Sequence, residues 1–286
     1  MNEVAWRPLI IIGAPRSGTN LLRDLLCQAE GFATWPCDEI NLLWRHGNTG
    51  HPDDELPPEL ASPALARYMR RRFATIAART GAGTVVEKTC ANSLRVAFVD
   101  RLLPDARYLL IHRDGRDAAA SAVERFRAPV DWAYTLRKMR FVPVSDIPFH
   151  ALEFTRNRAA RLMRRDRRLA FWGPRFKGYE AFARTATTSE ICARQWSACV
   201  DLASRDLAAI GSRRVLSLSY EALVRRPRDT LAEVFEFLGV RGLAGSVDVS
   251  HVSAANIGRG RDLRRSDGGE RALALMAPAL ARLGYA

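Results

Sequence analysis

Lysine is almost absent from this chain. Of 44 basic residues only Lys88, Lys138 and Lys177 are lysines, and the rest are arginines. Paired cysteines are missing too. The five cysteines, Cys27, Cys37, Cys90, Cys192 and Cys199, are odd in number and contain no Cys-x-x-Cys, so they read as reduced thiols. Cys192 and Cys199 lie seven apart on an expected helix and share one face of it. The five histidines are scattered, which leaves no clustered ligand set for a zinc site, and no metal is expected. No apolar run approaches the roughly 18 residues that a membrane-spanning helix needs. The first residues carry no long apolar stretch behind a basic patch, so no signal peptide is read and a cytoplasmic location is expected. Internal repeats and a clean linker are also lacking, and residues 1–286 are expected to form one domain.

What is present is charge of one sign. The net charge is +13, with 44 basic residues against 31 acidic ones. Such a chain attracts anions, whether nucleic acid, a membrane surface, a nucleotide or an acidic substrate. A coding bias toward arginine on solvated faces gives the same count, so charge does not choose among them.

Short apolar runs alternate with helical periodicity. Arg7 to Ile12 reads as a strand buried on both faces. Helical spacing follows from Gly18 to Ala29. Residues 47–63 read as a loop, Pro63 to Arg79 as a helix and Thr84 to Glu87 as a second strand. A helix from Asn92 to Leu103 and a third strand from Ala106 to His112 come next. Asp114 is placed to cap the helix after it, with Asp117 favourably set in the first turn. Residues 127–190, basic and aromatic, are expected to be helices and loops covering the site. A long helix from about Glu190 to Ile210, a fourth strand from Val215 to Ser219 and short helices to Leu238 follow. The tail reads as a Gly/Arg-rich loop, 256–265, and a final helix. Strands alternating with helices imply right-handed crossovers and a central parallel sheet flanked by helices, an α/β fold.

The sharpest signal is Gly13-Ala14-Pro15-Arg16-Ser17-Gly18-Thr19-Asn20, set directly between a buried strand and a helix. Backbone N–H groups of such a loop, with the helix N-terminus, form an anion cradle. The glycines have P-loop spacing, but the usual lysine is Thr19, the magnesium-holding Ser/Thr is Asn20, and the cation has moved into the loop as Arg16. A transferable group less charged than a terminal phosphate, needing no metal, fits better. A second segment places Arg113 at the end of a strand and Ser121 and Arg125 four apart on the next helix, so that all three can converge on one phosphate.

Together these segments resemble the PAPS-dependent sulfotransferase superfamily, where PAPS is 3′-phosphoadenosine 5′-phosphosulfate. The arginine in the loop is closest to the bacterial and tyrosylprotein branches. The stretches Glu87-Lys88-Thr89, Arg101 to Leu110 and Ser219 to Val224 resemble the same branches. The resemblance implies a P-loop-like sulfotransferase fold and transfer of a sulfuryl group from PAPS to a hydroxyl, giving PAP. It also implies roles. Gly13, Pro15, Arg16, Ser17, Gly18, Thr19 and Asn20 would wrap the 5′-phosphosulfate. Arg16 would stabilise the bridging oxygen and Lys88 would contact the transferring group. Arg113, Ser121 and Arg125 would hold the 3′-phosphate, Tyr220 would lie near adenine, and Arg259 and Arg261 would close over the 3′-phosphate.

The acceptor hydroxyl needs a base. Tyrosylprotein-type relatives carry a Glu shortly after the loop helix, which points to Glu39, with Asp38 in reserve and His112 behind it. Cytosolic relatives use a His at the position of Cys90, so this chain departs from their scheme. Arginines across residues 155–177, with Trp172 and Phe176, suggest an anionic acceptor such as a glycan, glycolipid or acidic peptide. Two rival readings are a P-loop kinase or NTPase, and an arginine-rich nucleic-acid-binding module. The first lacks its residues at Thr19 and Asn20. The second leaves the strand–loop–helix cradle unexplained.

Overall fold

A computed structural model describes residues 6–127, 143–146 and 173–285. Its frame is a five-stranded sheet, all parallel: β1 (Arg7–Ile12), β2 (Phe32–Thr34), β3 (Thr84–Lys88), β4 (Arg107–His112) and β5 (Val215–Ser219). The spatial order is β2-β3-β1-β4-β5. Leu9, Ile10, Ile11 and Ile12 are at most 1% exposed, which makes β1 the centre of the molecule. Side chains alternate along it. Ile10 and Ile12 enter one apolar layer while Leu9 and Ile11 enter the other. Burying each such side chain contributes about 1.5–3 kcal/mol, so the sheet is anchored where β1 runs.

Helices cover both faces. On the Leu9/Ile11 face lie α1 (Thr19–Leu26) and, further along the chain, a helix over Pro227–Leu238. On the Ile10/Ile12 face lie α2 (Asn41–Trp44), α3 (Pro63–Thr80) and α4 (Val96–Leu102). A third apolar cluster joins α5 (Gly115–Arg127) to α7 (Thr188–Ile210), with the short α6 (Tyr179–Phe182) beside them. The remaining described helices are α8 (Tyr220–Arg225), α9 (Pro227–Leu238), α10 (Gly260–Arg264) and α11 (Gly269–Arg282).

The strand order determines where a ligand goes. After β1 the chain leaves toward β2, whereas after β4 it leaves toward β5. The carboxyl ends of β1 and β4, neighbours in the sheet, therefore open a crevice between diverging loops. Gly13 and Arg113 sit at its two sides.

Four expectations need correction. The sheet has a fifth strand, β2, a three-residue edge element too short to show a period. The helix expected over 92–103 is a 3₁₀ turn, Cys90–Leu94, followed by α4, with Arg95 between them bonding back to Asn92. The long helix begins at Thr188, because Thr187 and Glu190 form a reciprocal capping box. The Gly/Arg-rich loop contains α10. Most of the basic, aromatic stretch expected to cover the site lies outside the described residues.

Candidate active site

The loop after β1 is shaped by close approaches. A Cβ at Gly13 would stand 2.6 Å from the Ile111 carbonyl oxygen of β4. At Gly18, with φ 89°, it would stand 2.5 Å from Tyr220 Cδ2. Only glycine fits at either end. Between them Arg16 adopts φ 68°, the one positive φ among described non-glycine residues. That conformation costs an L-residue about 1–2 kcal/mol. It is held by Arg113, whose Nη1 donates to the Arg16 carbonyl at 2.9 Å. Gly13 N donates to Ser93 Oγ at 3.1 Å, which ties the loop to the 3₁₀ turn after β3. Ser17 is fully buried, and its hydroxyl has no hydrogen-bond partner among the described residues. A buried, unmatched hydroxyl costs stability unless something fills the cradle.

The loop and α5 meet at Ser121, whose Oγ accepts from Arg16 Nε at 2.9 Å. Arg113 is buried, lies 4.4 Å over the Tyr220 ring, and donates to the Asn256 carbonyl. Partial burial of the guanidinium, followed by the charges of Arg113 and Arg125, pulls the Arg16 pKa below the usual arginine value. Three cations thus converge here from the ends of β1 and β4 and from α5. The tail reaches the same corner. Asp117 accepts from Gly258 N at 2.7 Å and from Gly260 N at 2.6 Å, and lies 3.8 Å from Arg113. Arg259 pairs with Glu124 on α5, and Arg261 is exposed on α10. Sequence alone marks Asp117 only as a first-turn acid, because its grip on 258–260 depends on residues more than 140 positions away.

A second group gathers at the end of β3. Lys88 is 4% exposed, and its Nζ donates to Glu39 Oε1 at 3.1 Å. The same oxygen accepts from Cys90 N at 3.3 Å. Burial alone would lower the Lys88 pKa, but Glu39 and its other anionic neighbours outweigh it, and the net shift is upward. Lys88 is therefore a fixed cation at neutral pH. Burial pushes the Cys90 thiol up to about 12, so it stays protonated. Cys90 Sγ lies 3.7 Å from Thr19 Oγ1, which joins this group to the loop and α1.

The other base candidates are turned elsewhere. Asp38 pairs with Arg23 at 3.0 Å. His112 lies 3.0 Å from the Tyr285 hydroxyl, which donates to Glu221, and burial lowers its pKa. It belongs to the anchor of the C-terminal segment. The arginines from Arg156 to Arg168 and Trp172 lie outside the described residues. Among the described residues, no group of His, Cys, Asp and Glu is placed to hold a metal ion.

The family model described as the sulfotransferase family matches residues 8–169 and 150–243. This chain belongs to the sulfotransferase family. No curated protein matches the sequence. Solved structures do. The sulfotransferase domain from the curacin biosynthetic pathway aligns with a TM-score of 0.57 at 13% identity, covering 98% of each chain. A sulfotransferase from Alicyclobacillus acidocaldarius gives 0.55 at 19% identity, covering 98% of this chain and 95% of its own. The sulfotransferase domain of the Synechococcus PCC 7002 olefin synthase gives 0.53 at 16%, with 98% and 97% covered. At such identities the likeness concerns the fold. This sulfotransferase has the P-loop-like architecture the motifs implied: a parallel sheet with the cradle at the end of its central strand.

Proposed function

We propose that this sulfotransferase moves the sulfuryl group of PAPS to a hydroxyl and releases PAP. The observation that carries the reading is Arg16 bonded to Ser121, with Arg113 bonded to the Arg16 carbonyl and the Arg125 charge close by, beside a cradle with an unmatched Ser17 hydroxyl. Like charges held together in a partly buried corner repel, and an anion bound among them relieves that repulsion. Two such corners, the cradle and the Ser121 corner, suit a ligand with two separate anionic groups.

In this reading Gly13 to Asn20 wrap the 5′-phosphosulfate with backbone N–H groups, and Ser17 finds its partner there. Arg113, Ser121 and Arg125 hold the 3′-phosphate, and Tyr220, packed beneath Arg113 and against Gly18, lies near adenine. Arg259 and Arg261 close over the 3′-phosphate, Arg259 exchanging Glu124 for it. Glu39 takes the proton of the acceptor hydroxyl as that oxygen bonds to sulfur. The bond from sulfur to the bridging oxygen breaks, and the electron pair stays on PAP. Arg16 and Lys88 stabilise the developing charge, which is where preorganised cations lower a barrier most.

The acceptor is proposed to be anionic, drawn by the arginines of residues 155–177. Cys27, Cys90, Cys192 and Cys199 are free thiols, which accords with a reducing compartment, so the cytoplasm is the proposed location. The test is calorimetric titration with PAP and, in parallel, ADP, both without magnesium. PAP is expected to bind at least tenfold more tightly. Equal affinities would remove the 3′-phosphate corner and return the kinase reading.

A further inference from the structure

Glu39 is held by more than its own carboxylate. Directly after it, Ile40 N donates to Thr89 Oγ1 at 3.1 Å, and the Thr89 hydroxyl donates to Glu87 Oε1 at 2.5 Å. The other Glu87 oxygen accepts from Asn92 Nδ2 at 3.0 Å. Asn92 Oδ1 accepts from Arg95 Nε at 2.9 Å, and Arg95 Nη2 donates to Asn41 Oδ1 at 2.5 Å. The chain of bonds thus leaves the backbone at Ile40, passes through four buried polar side chains, and returns to the neighbouring Asn41. Thr89 and Asn92 are 0% exposed, and Glu87 and Arg95 are 1%. Groups so deep in the protein exchange no bonds with water, so each depends on its neighbour in the chain. This ring clamps the two residues after Glu39 to the end of β3, which also carries Lys88.

We propose that Thr89 is a positioning residue for sulfuryl transfer: its hydroxyl fixes the Ile40 backbone and so aims the Glu39 carboxylate at the acceptor oxygen. The inference rests on Glu39 being the base. Geometry makes Thr89 the narrow point of the ring: among the described residues, its hydroxyl carries the hydrogen bond from the end of β3 to the Ile40 backbone. Serine can make the same two bonds. Valine has nearly the shape of threonine but leaves Ile40 N and one Glu87 oxygen unmatched. A base displaced by a fraction of an ångström loses much of its advantage, since proton transfer needs hydrogen-bond reach.

The test measures PAP release from PAPS with water as acceptor, together with PAP affinity by calorimetry and amide exchange at Ile40. Thr89→Val is expected to slow turnover about tenfold and expose the Ile40 amide. Thr89→Ser should stay within threefold of the wild type with Ile40 protected. PAP affinity should move less than twofold in both. Glu39→Gln should slow turnover at least a hundredfold, within the usual range for losing a general base. The double variant Glu39→Gln/Thr89→Val should be no slower than Glu39→Gln, because the two act through one group. If Thr89→Val does not fold, Thr89→Cys carries the same test with a weaker donor of similar size. Multiplying effects in the double variant, or wild-type turnover in Thr89→Val with a slow Glu39→Gln, would overturn the positioning role alone. Wild-type turnover in Glu39→Gln would remove the base assignment and this inference with it.

Discussion

Glu87 gives stability an unusual pH dependence. Its carboxyl is fully enclosed, and burial raises its pKa from 4.5 to about 7 despite hydrogen bonding from Thr89 and the nearby Lys88 charge. The folded protein therefore holds this proton more tightly than the unfolded chain does. Between the two values folding takes up a proton, so the contribution is full below pH 4.5 and fades as pH rises through about 7. A shift of that size corresponds to about 3 kcal/mol. For a chain of this length that is a fall in Tm of roughly 5 °C on going from pH 5 to pH 8. His112 acts with opposite sign: burial lowers its pKa, so its contribution is present above pH 6.5 and lost on acidification. A single melting curve mixes the two, and Glu87→Gln separates them.

The variant also has a cost of its own. Glutamine can accept from Thr89, but its amide then faces Asn92 Nδ2, whose partner oxygen is already engaged by Arg95. Donor against donor in a buried site costs about 1–3 kcal/mol at every pH. Thermal unfolding of wild type and Glu87→Gln from pH 5 to pH 8 should show the variant less stable at pH 5 and the gap closing or reversing by pH 8. Parallel curves would mean that Glu87 does not titrate in this range, and the argument from its burial would fail.

Ser121→Ala removes a hydroxyl that accepts from Arg16 and is proposed to bind the 3′-phosphate. PAP affinity should fall about ten- to a hundredfold, the value of one hydrogen bond to a charged group, and calorimetry with unchanged affinity would exclude Ser121 as a ligand. Asp117→Asn leaves one acceptor for the two N–H groups of Gly258 and Gly260. The 256–260 segment should open more readily by about 1–3 kcal/mol, seen as a five- to hundredfold faster cut there in limited proteolysis; wild-type cleavage rates would show that the bonds do not hold the segment.

The parts of this molecule legible in the sequence are those whose cause is local. Arg7 to Ile12 is apolar at every position after Pro8, which only a strand buried on both faces tolerates, and the glycines that end it mark the cradle. Asp114 caps α5 as its type and place suggest, with Arg116 N donating to its Oδ1 at 2.9 Å. The Thr187–Glu190 capping box was also readable, but the surrounding basic stretch hid it. β2 was not readable, because three edge residues form a strand only when β3 pairs with them. Nor was the Thr89 ring. Its members lie on two stretches of chain, 40–41 and 87–95, and nothing local distinguishes Thr89 from any other threonine at a strand end. Glu39 was reached through the family likeness, and its bond to Lys88 spans 49 positions.

The two halves of the site obey opposite electrostatic rules. Around Ser121, cations from separate elements are crowded together, and the cost of holding them there is a standing preference for an anionic ligand. At the end of β3 the polar groups are paired within the protein: Lys88 with Glu39, and the two Glu87 oxygens with the donors Thr89 and Asn92. Removing a side chain from the first half chiefly lowers binding, because the ligand supplies the missing counter-charge. Removing one from the second leaves a buried partner unmatched, so orientation and stability suffer while nucleotide affinity is spared. Affinity and turnover should therefore separate along the line between α5 and β3. A variant at Thr89 or Glu87 that weakened PAP binding as much as Ser121→Ala would show that the two halves act as one.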